Sequence, residues 1–212
     1  MWHNTCELVL AGKGGCMFKN HLLLKTVVLF ALLLGFVYFA PAQSRQVTAQ
    51  AQRITGDRFT ISARTPQGAR IFAVSRPNRA MLQSIDRGLS DLFAVARKNR
   101  YSRGLRHSDY TIYIAKADRT RDAAGGYSPD IAVGAAQYAG SVYDKGGYIY
   151  AAGMVLSFNP MAFVIAEHTG DLSRVSNLVR YEGEHLVLYH NDRRRYAQTA
   201  DHSQGGGHPI LK

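Results

Sequence analysis

Apolar residues recur every three or four positions in two stretches of the chain, and this spacing predicts two amphipathic helices. The first covers about residues 78–98, and its stripe consists of Met81, Leu82, Ile85, Leu89, Leu92, Phe93 and Ala96. The second follows Asp171, a residue type that favours the N-cap position, and continues to about His190. Its stripe contains Leu172, Val175, Leu178, Val179, Leu186 and Tyr189. Each helix therefore has one face to bury.

Polar and apolar residues alternate at 58–62 and 109–115, which predicts strands there, and the short apolar run 71–74 is predicted as a further strand. Two further runs, 131–143 and 147–158, are rich in tyrosine, valine and isoleucine. A turn sequence of aspartate, lysine and two glycines separates them, so we expect these two runs to form an antiparallel hairpin.

Residues 161–168 are predicted to form a short helix, because Asn159-Pro160 suits the start of a helix and Gly170 suits its end. A short buried strand is the alternative for this segment. Together these elements predict an α+β fold in which an antiparallel sheet packs against a few helices.

Residues 26–40 carry no charge, follow Lys19 and Lys25, and lead into Ala40-Pro41-Ala42. This pattern predicts a signal peptide that is cleaved after Ala42, leaving 43–212 as one secreted or periplasmic domain with a flexible C-terminal tail. An uncleaved membrane anchor is the alternative, although the stretch is short of the about 20 residues that a membrane-spanning helix needs. Residues 1–16 fit no targeting pattern, and a start at Met17 would place a compact basic segment directly before the apolar core.

The composition, 46% hydrophobic and 19% charged, is typical of a globular protein. Both cysteines, Cys6 and Cys16, lie in the predicted leader, so the mature chain would have no disulfide and no cysteine ligand. It would keep 23 of the 26 basic and 14 of the 15 acidic residues, a net charge of +9. Anionic envelope polymers or phospholipid head groups are the expected partners, and nucleic acid is not expected after export. A charge that only aids solubility is the alternative.

Candidate chemistry concentrates in the second helix, at Tyr181-Glu182-Gly183-Glu184-His185. Glu182 and His185 are three residues apart and share the inward face, where an unpaired acid would be costly. Five of the eight histidines lie in the last 45 residues: His168, His185, His190, His202 and His208. The glycines between His202 and His208 could let either imidazole fold back onto the helix. Neutral imidazole is the usual nitrogen ligand of zinc, so the pattern predicts a zinc site.

The motif resembles the His-Glu-x-x-His helix of zincin metallopeptidases, with Tyr181 in place of the first histidine. The order of predicted elements over residues 78–190 is also similar to a zincin core, where a helix, antiparallel strands and the motif helix follow one another. The resemblance implies a peptidase in which Glu182 is the general base and His185 a zinc ligand. Tyr181 would stand at the first ligand position, and His202 or His208 would supply the third ligand. A peptide or an envelope polymer would be the substrate.

Other hydrolase and nucleotide-binding classes lack their motifs, since the chain contains neither a Gly-x-Ser-x-Gly elbow nor a phosphate-binding loop. A purely structural interpretation remains open, in which Glu182 pairs with an arginine such as Arg174 or Arg180 and His185 is a hydrogen-bonded core residue. The protein would then be a non-catalytic basic envelope protein that binds anionic polymers or a protein partner.

Overall fold

A computed structural model describes residues 44–117, 130–134, 136, 148–167, 170–200 and 207–211. Contacts divide the chain into two units with the boundary between Gln43 and Ser44, and every described residue belongs to the second unit. The predicted signal peptide, its cleavage site after Ala42 and the alternative start at Met17 lie outside the described residues.

Both predicted long helices are present; the second begins at its predicted N-cap, Asp171, and the first begins at Asn78, within its predicted range. The backbone N–H of Met81 donates to Asn78 at 2.8 Å, and that of Arg174 donates to Asp171 at 2.9 Å. Two more α-helices, one at the start of the described chain and one directly after the second long helix, were not predicted because their sequences are polar and lack a clear apolar stripe. The α-helices with defined bounds in the described residues are α1 (44–55), α2 (Arg79–Lys98), α3 (Leu172–Asn191) and α4 (Arg193–Ala200).

Seven strands form two sheets in the described part of the chain. They are β1 (Ile61–Arg64), β2 (Arg70–Ala73), β3 (Tyr110–Ala115), β4 (Ile131–Gly134), β5 (Tyr148–Ala151), β6 (Gly153–Phe158) and β7 (Met161–Ala166). The main sheet has the order β1-β2-β3-β7-β6, and β4 pairs with β5 in a separate two-stranded sheet.

The main sheet is mixed, so the expectation of an antiparallel sheet is wrong for it. Strands β2, β3 and β7 run parallel, while β1 and β6 are antiparallel to their neighbours at the two edges. Helix α2 connects β2 to β3, and a helical crossover of this kind returns the chain to the same end of the sheet. The predicted hairpin is confirmed only for β4 and β5. The run 147–158 is divided between β5 and β6, which belong to different sheets.

The helix predicted at 161–168 is wrong, and the buried strand weighed against it is correct. All six residues of β7 are buried, and the strand lies between β3 and β6. Its continuous apolar sequence is typical of a strand that is covered on both faces of a sheet. Asn159-Pro160 marks the turn between β6 and β7 rather than the start of a helix.

Helices α2 and α3 cover one face of the main sheet, and α1 covers the other together with β4. Alternate residues of β3 serve the two layers: Ile112 and Ile114 pack with the α2 and α3 side, whereas Tyr113 and Ala115 pack with α1 and β4. The described part of the chain is therefore an α+β fold with core on both sides of the sheet. None of its helices has the length and apolar character needed to cross a membrane.

Candidate functional site

The motif segment lies in the second half of α3, where every residue from Gly183 to Leu188 is buried. Gly183 faces α2 so closely that an added Cβ atom would lie 2.6 Å from Cδ2 of Leu92. This close contact fixes α3 against α2. It also leaves the polar residues on either side of Gly183 to be satisfied by other elements.

His185 is held by a residue of α4. Its Nδ1 lies 2.9 Å from Oγ1 of Thr199, and that hydroxyl donates its own hydrogen to the carbonyl oxygen of Tyr196 at 2.7 Å. The Thr199 oxygen therefore accepts from His185, which places the imidazole proton on Nδ1 in the neutral ring. In that tautomer, Nε2 carries the lone pair that a metal would use.

His208 is held in the same manner by Glu184. Its Nδ1 lies 2.8 Å from Oε2 of Glu184, and the backbone N–H of Ile210 donates to Oε1 at 2.8 Å. Glu184 is fully buried, and Ile210 is buried beside it. Part of the segment predicted to be a flexible tail, residues 207–211, is thus attached to α3.

Glu184 is the residue that sequence reasoning missed. The sequence does contain a signal, because Leu186, Val187 and Leu188 are consecutive apolar residues and indicate that this turn of α3 is buried around its whole circumference. A glutamate within such a turn cannot reach solvent, so it must find hydrogen-bond donors inside the protein.

The two anchored imidazoles come together. The ring centres of His185 and His208 are 5.4 Å apart. Two imidazoles bound through nitrogen to one tetrahedral zinc ion, at zinc–nitrogen distances of about 2.0–2.1 Å, have ring centres about 5.2 Å apart. The separation of the ring centres of His185 and His208 is therefore close to that of two imidazole ligands of one metal ion.

Tyr181 packs against His208, one of these two imidazoles. Its ring stacks on the imidazole of His208 with the ring centres 4.4 Å apart, and 39% of the residue is exposed to solvent. The residue at the first ligand position of the motif is thus next to the imidazole pair. In this arrangement its direct contact with the pair is through the face of its ring.

Glu182 points toward the edge strand β6 rather than toward an arginine. It is half-buried, and a Cβ atom added to Gly153 would lie 2.8 Å from its Cγ and 2.9 Å from its Oε1. Burial raises the pKa of Glu182 to about 8. Its carboxyl group forms no hydrogen bond or ion pair with any described residue; of the two arginines considered as partners, Arg174 pairs with Asp130 and Arg180 contacts Asn177.

The remaining histidine candidates are bonded elsewhere or lie outside the described residues. His202 lies outside the described residues. His190 bonds through Nε2 to the carbonyl oxygen of Phe158 at 2.9 Å. In the described part of the chain, no group of three His, Cys, Asp or Glu residues could by itself hold a metal ion. A metal between His185 and His208 would therefore need a different type of ligand or one from elsewhere.

Comparisons of the chain with protein-family models, curated protein sequences and solved structures found no match. Support for a functional site therefore comes from the geometry of these residues.

Proposed function

We propose that the protein is an exported metal-binding protein in which His185 and His208 hold a divalent metal ion, zinc in the first instance. The observation that carries this proposal is the pair of imidazoles 5.4 Å apart, each anchored through Nδ1 by a residue of the protein. Hydrogen bonding of the nitrogen that does not bind the metal is the usual arrangement of histidine ligands, because it fixes the tautomer and the ring orientation.

Tyr181 and His202 complete the proposed ligand set. Tyr181 lies beside His208 and occupies the first ligand position of the zincin-like motif. His202 follows α4 in the chain and precedes His208 by six residues. A catalytic zinc site has three protein ligands and one open position, so either residue would suffice with the two imidazoles.

The proposed activity is hydrolysis of a peptide bond in the envelope or outside the cell, with Glu182 as general base. Bound zinc would supply the nucleophile by lowering the pKa of a water ligand to about 7. The half-buried position of Glu182 against Gly153 supports its role, because a carboxyl group with a raised pKa is suited to exchanging a proton near neutral pH. The sequence of a helix, strands and the motif helix along the chain follows the zincin-like order, but β3 and β7 pair in parallel where the resemblance implies antiparallel strands.

Elemental analysis and zinc titration of the mature chain would test the metal site. We expect one equivalent of zinc, a melting temperature that falls on chelation, and loss of binding in His185→Ala and His208→Ala. His190→Gln is the matched control, since this imidazole of α3 bonds to Phe158 instead. Absence of stoichiometric metal together with unchanged melting on chelation would reject the proposal and leave these contacts as core packing.

Peptide hydrolysis is tested separately on the zinc-loaded protein. We expect Glu182→Gln to abolish cleavage of a casein or peptide-library substrate while zinc still binds. If Glu182→Gln still cleaves the substrate, Glu182 is not the general base. The proposal for the metal site would be unchanged by that result.

A further inference from the structure

An open depression of about 600 Å³ lies at the C-terminal end of α2. It is formed by the last turn of the helix and by the loop that leads to β3. Four charged residues line it, namely Arg97, Arg103, Arg106 and Asp109. Three guanidinium groups and one carboxylate give the lining a net charge of +2.

One residue of α3, Asn191, holds the loop that carries Arg103 and Arg106. Oδ1 of Asn191 accepts hydrogen bonds from the backbone N–H groups of Ser102 and Arg103, at 3.1 and 3.0 Å. Nδ2 of Asn191 donates to the carbonyl oxygen of Arg103 at 2.9 Å. Both the backbone N–H and the carbonyl oxygen of Arg103 are therefore hydrogen-bonded to Asn191. These bonds fix the backbone from which the Arg103 side chain extends.

Further contacts fix the rest of the loop. The hydroxyl of Tyr101 donates to Asp192 at 3.1 Å, and the hydroxyl of Tyr110 donates to the carbonyl oxygen of Gly104 at 2.8 Å. Arg100 has a φ of 63°, in the left-handed region that is unfavourable for a residue with a side chain. A conformation of this kind persists only where the surrounding contacts determine it, and such positions cluster at ligand sites.

The guanidinium groups of Arg97 and Arg103 have no partner among the described residues, whereas Arg106 is paired with Asp109 at 2.8 Å. Two exposed guanidinium groups beside a rigid loop are thus available to a ligand. Guanidinium is planar and matches the oxygen spacing of phosphate through paired hydrogen bonds. A phosphate monoester carries about −1.5 to −2 charges at neutral pH and so balances the net charge of the lining.

We propose that this depression is a binding site for a phosphate monoester group, with Arg97 and Arg103 as its direct ligands. This binding site includes none of the proposed metal ligands, and phosphate binding does not depend on the metal. The phosphate could belong to a small molecule or to the head group of an anionic lipid, since both present the same group to the arginines. A carboxylate, with its single charge, would bind more weakly.

Titration with inorganic phosphate in the presence of a chelator, followed by NMR of the arginine side chains, would test this site in the mature chain. We expect saturable binding that weakens with added salt, and acetate at equal ionic strength should bind at least about tenfold more weakly. The double variant Arg97→Gln/Arg103→Gln should raise the Kd about tenfold, because two exposed charge pairs are lost. Arg87→Gln, which removes an exposed charge of α2 outside the depression, is the matched control.

Two results would overturn the proposal. Absence of saturable phosphate binding is one, and an equal effect of Arg87→Gln and the double variant is the other, because it would reduce the effect to general surface charge. Phosphatidylcholine vesicles with and without phosphatidic acid identify the source of the group. Binding to the phosphatidic acid vesicles that the double variant loses would indicate a lipid head group, and saturable binding of inorganic phosphate alone would indicate a small molecule.

Discussion

Replacing Glu184 with glutamine tests the role of this residue in the proposed metal site. Glutamine has nearly the same shape but presents one acceptor and one donor, where the carboxylate presents two acceptors. The backbone N–H of Ile210 needs an acceptor at the Oε1 position, since it lies 2.8 Å from that atom in a buried region. The amide nitrogen must therefore face Nδ1 of His208 and donate to it. The imidazole proton would then move to Nε2, the nitrogen that the proposed metal site uses.

The magnitudes follow from the burial of Glu184 and from its two hydrogen bonds of 2.8 Å. Glu184→Gln keeps both contacts in altered form, so the free energy of unfolding should fall by only about 1–2 kcal/mol. Glu184→Ala leaves His208 and Ile210 without an acceptor and should cost about 2–4 kcal/mol, since two donors lose their partner. Zinc affinity should fall about 10–100-fold in Glu184→Gln, the usual effect of losing a residue that orients a ligand.

Three measurements separate these effects: urea unfolding of the metal-free protein, zinc titration against a competing chelator, and nitrogen NMR of the imidazoles to identify the tautomer of His208. Asp91→Asn is the control, because it removes one negative charge from an exposed position of α2. Wild-type zinc affinity in Glu184→Gln, or a His208 proton that remains on Nδ1, would refute the reasoning.

Three further predictions concern close contacts and one buried acid. Gly183→Ala would place a Cβ atom 2.6 Å from Leu92 and should lower the free energy of unfolding by about 1–3 kcal/mol, measured in urea, and Leu92→Ala should cost less in this variant than in the wild type. Gly153→Ala would displace the Glu182 side chain, so zinc titration and a peptidase assay should find zinc binding retained and hydrolysis reduced. Because burial raises the pKa of Glu182 from 4.5 to about 8, the folded protein binds this proton more tightly than the unfolded chain. The metal-free wild type should therefore lose stability relative to Glu182→Gln as the pH rises from about 4.5 to 8, by about 1–2 kcal/mol for a half-buried group. Urea unfolding of both proteins across this pH range measures the difference. An equal dependence of their free energies of unfolding on pH would contradict the prediction.

The two long helices could be predicted because their apolar stripes, and the N-cap residue Asp171 of α3, are local signals. The direction of the strands could not, since parallel pairing of β2, β3 and β7 depends on how the intervening segments cross the sheet. Strand β7 was predicted as a helix for a related reason. A short apolar run is compatible with either structure, and only its place between β3 and β6 decides the matter.

The residues of the candidate site could also be predicted only in part. Glu182 and His185 stand out in the sequence because residues three apart share a helical face. The anchors, Thr199 and Glu184, do not stand out, because each acts through a partner in another element. Pairing of Glu182 with an arginine was the alternative left open by the arginine-rich sequence, and none of the described residues provides such a partner.

The sequence by itself determined that α3 carries an acid and a histidine one turn apart, and that further histidines follow it. Helical spacing is sufficient for this, because it depends only on the geometry of neighbouring turns. Only the tertiary structure brought His208 to 5.4 Å from His185, and only there does Glu184 acquire a role. The reason is that buried polar groups must be satisfied, and the groups that satisfy them lie 14 and 24 residues away in the chain, at separations that no local pattern encodes.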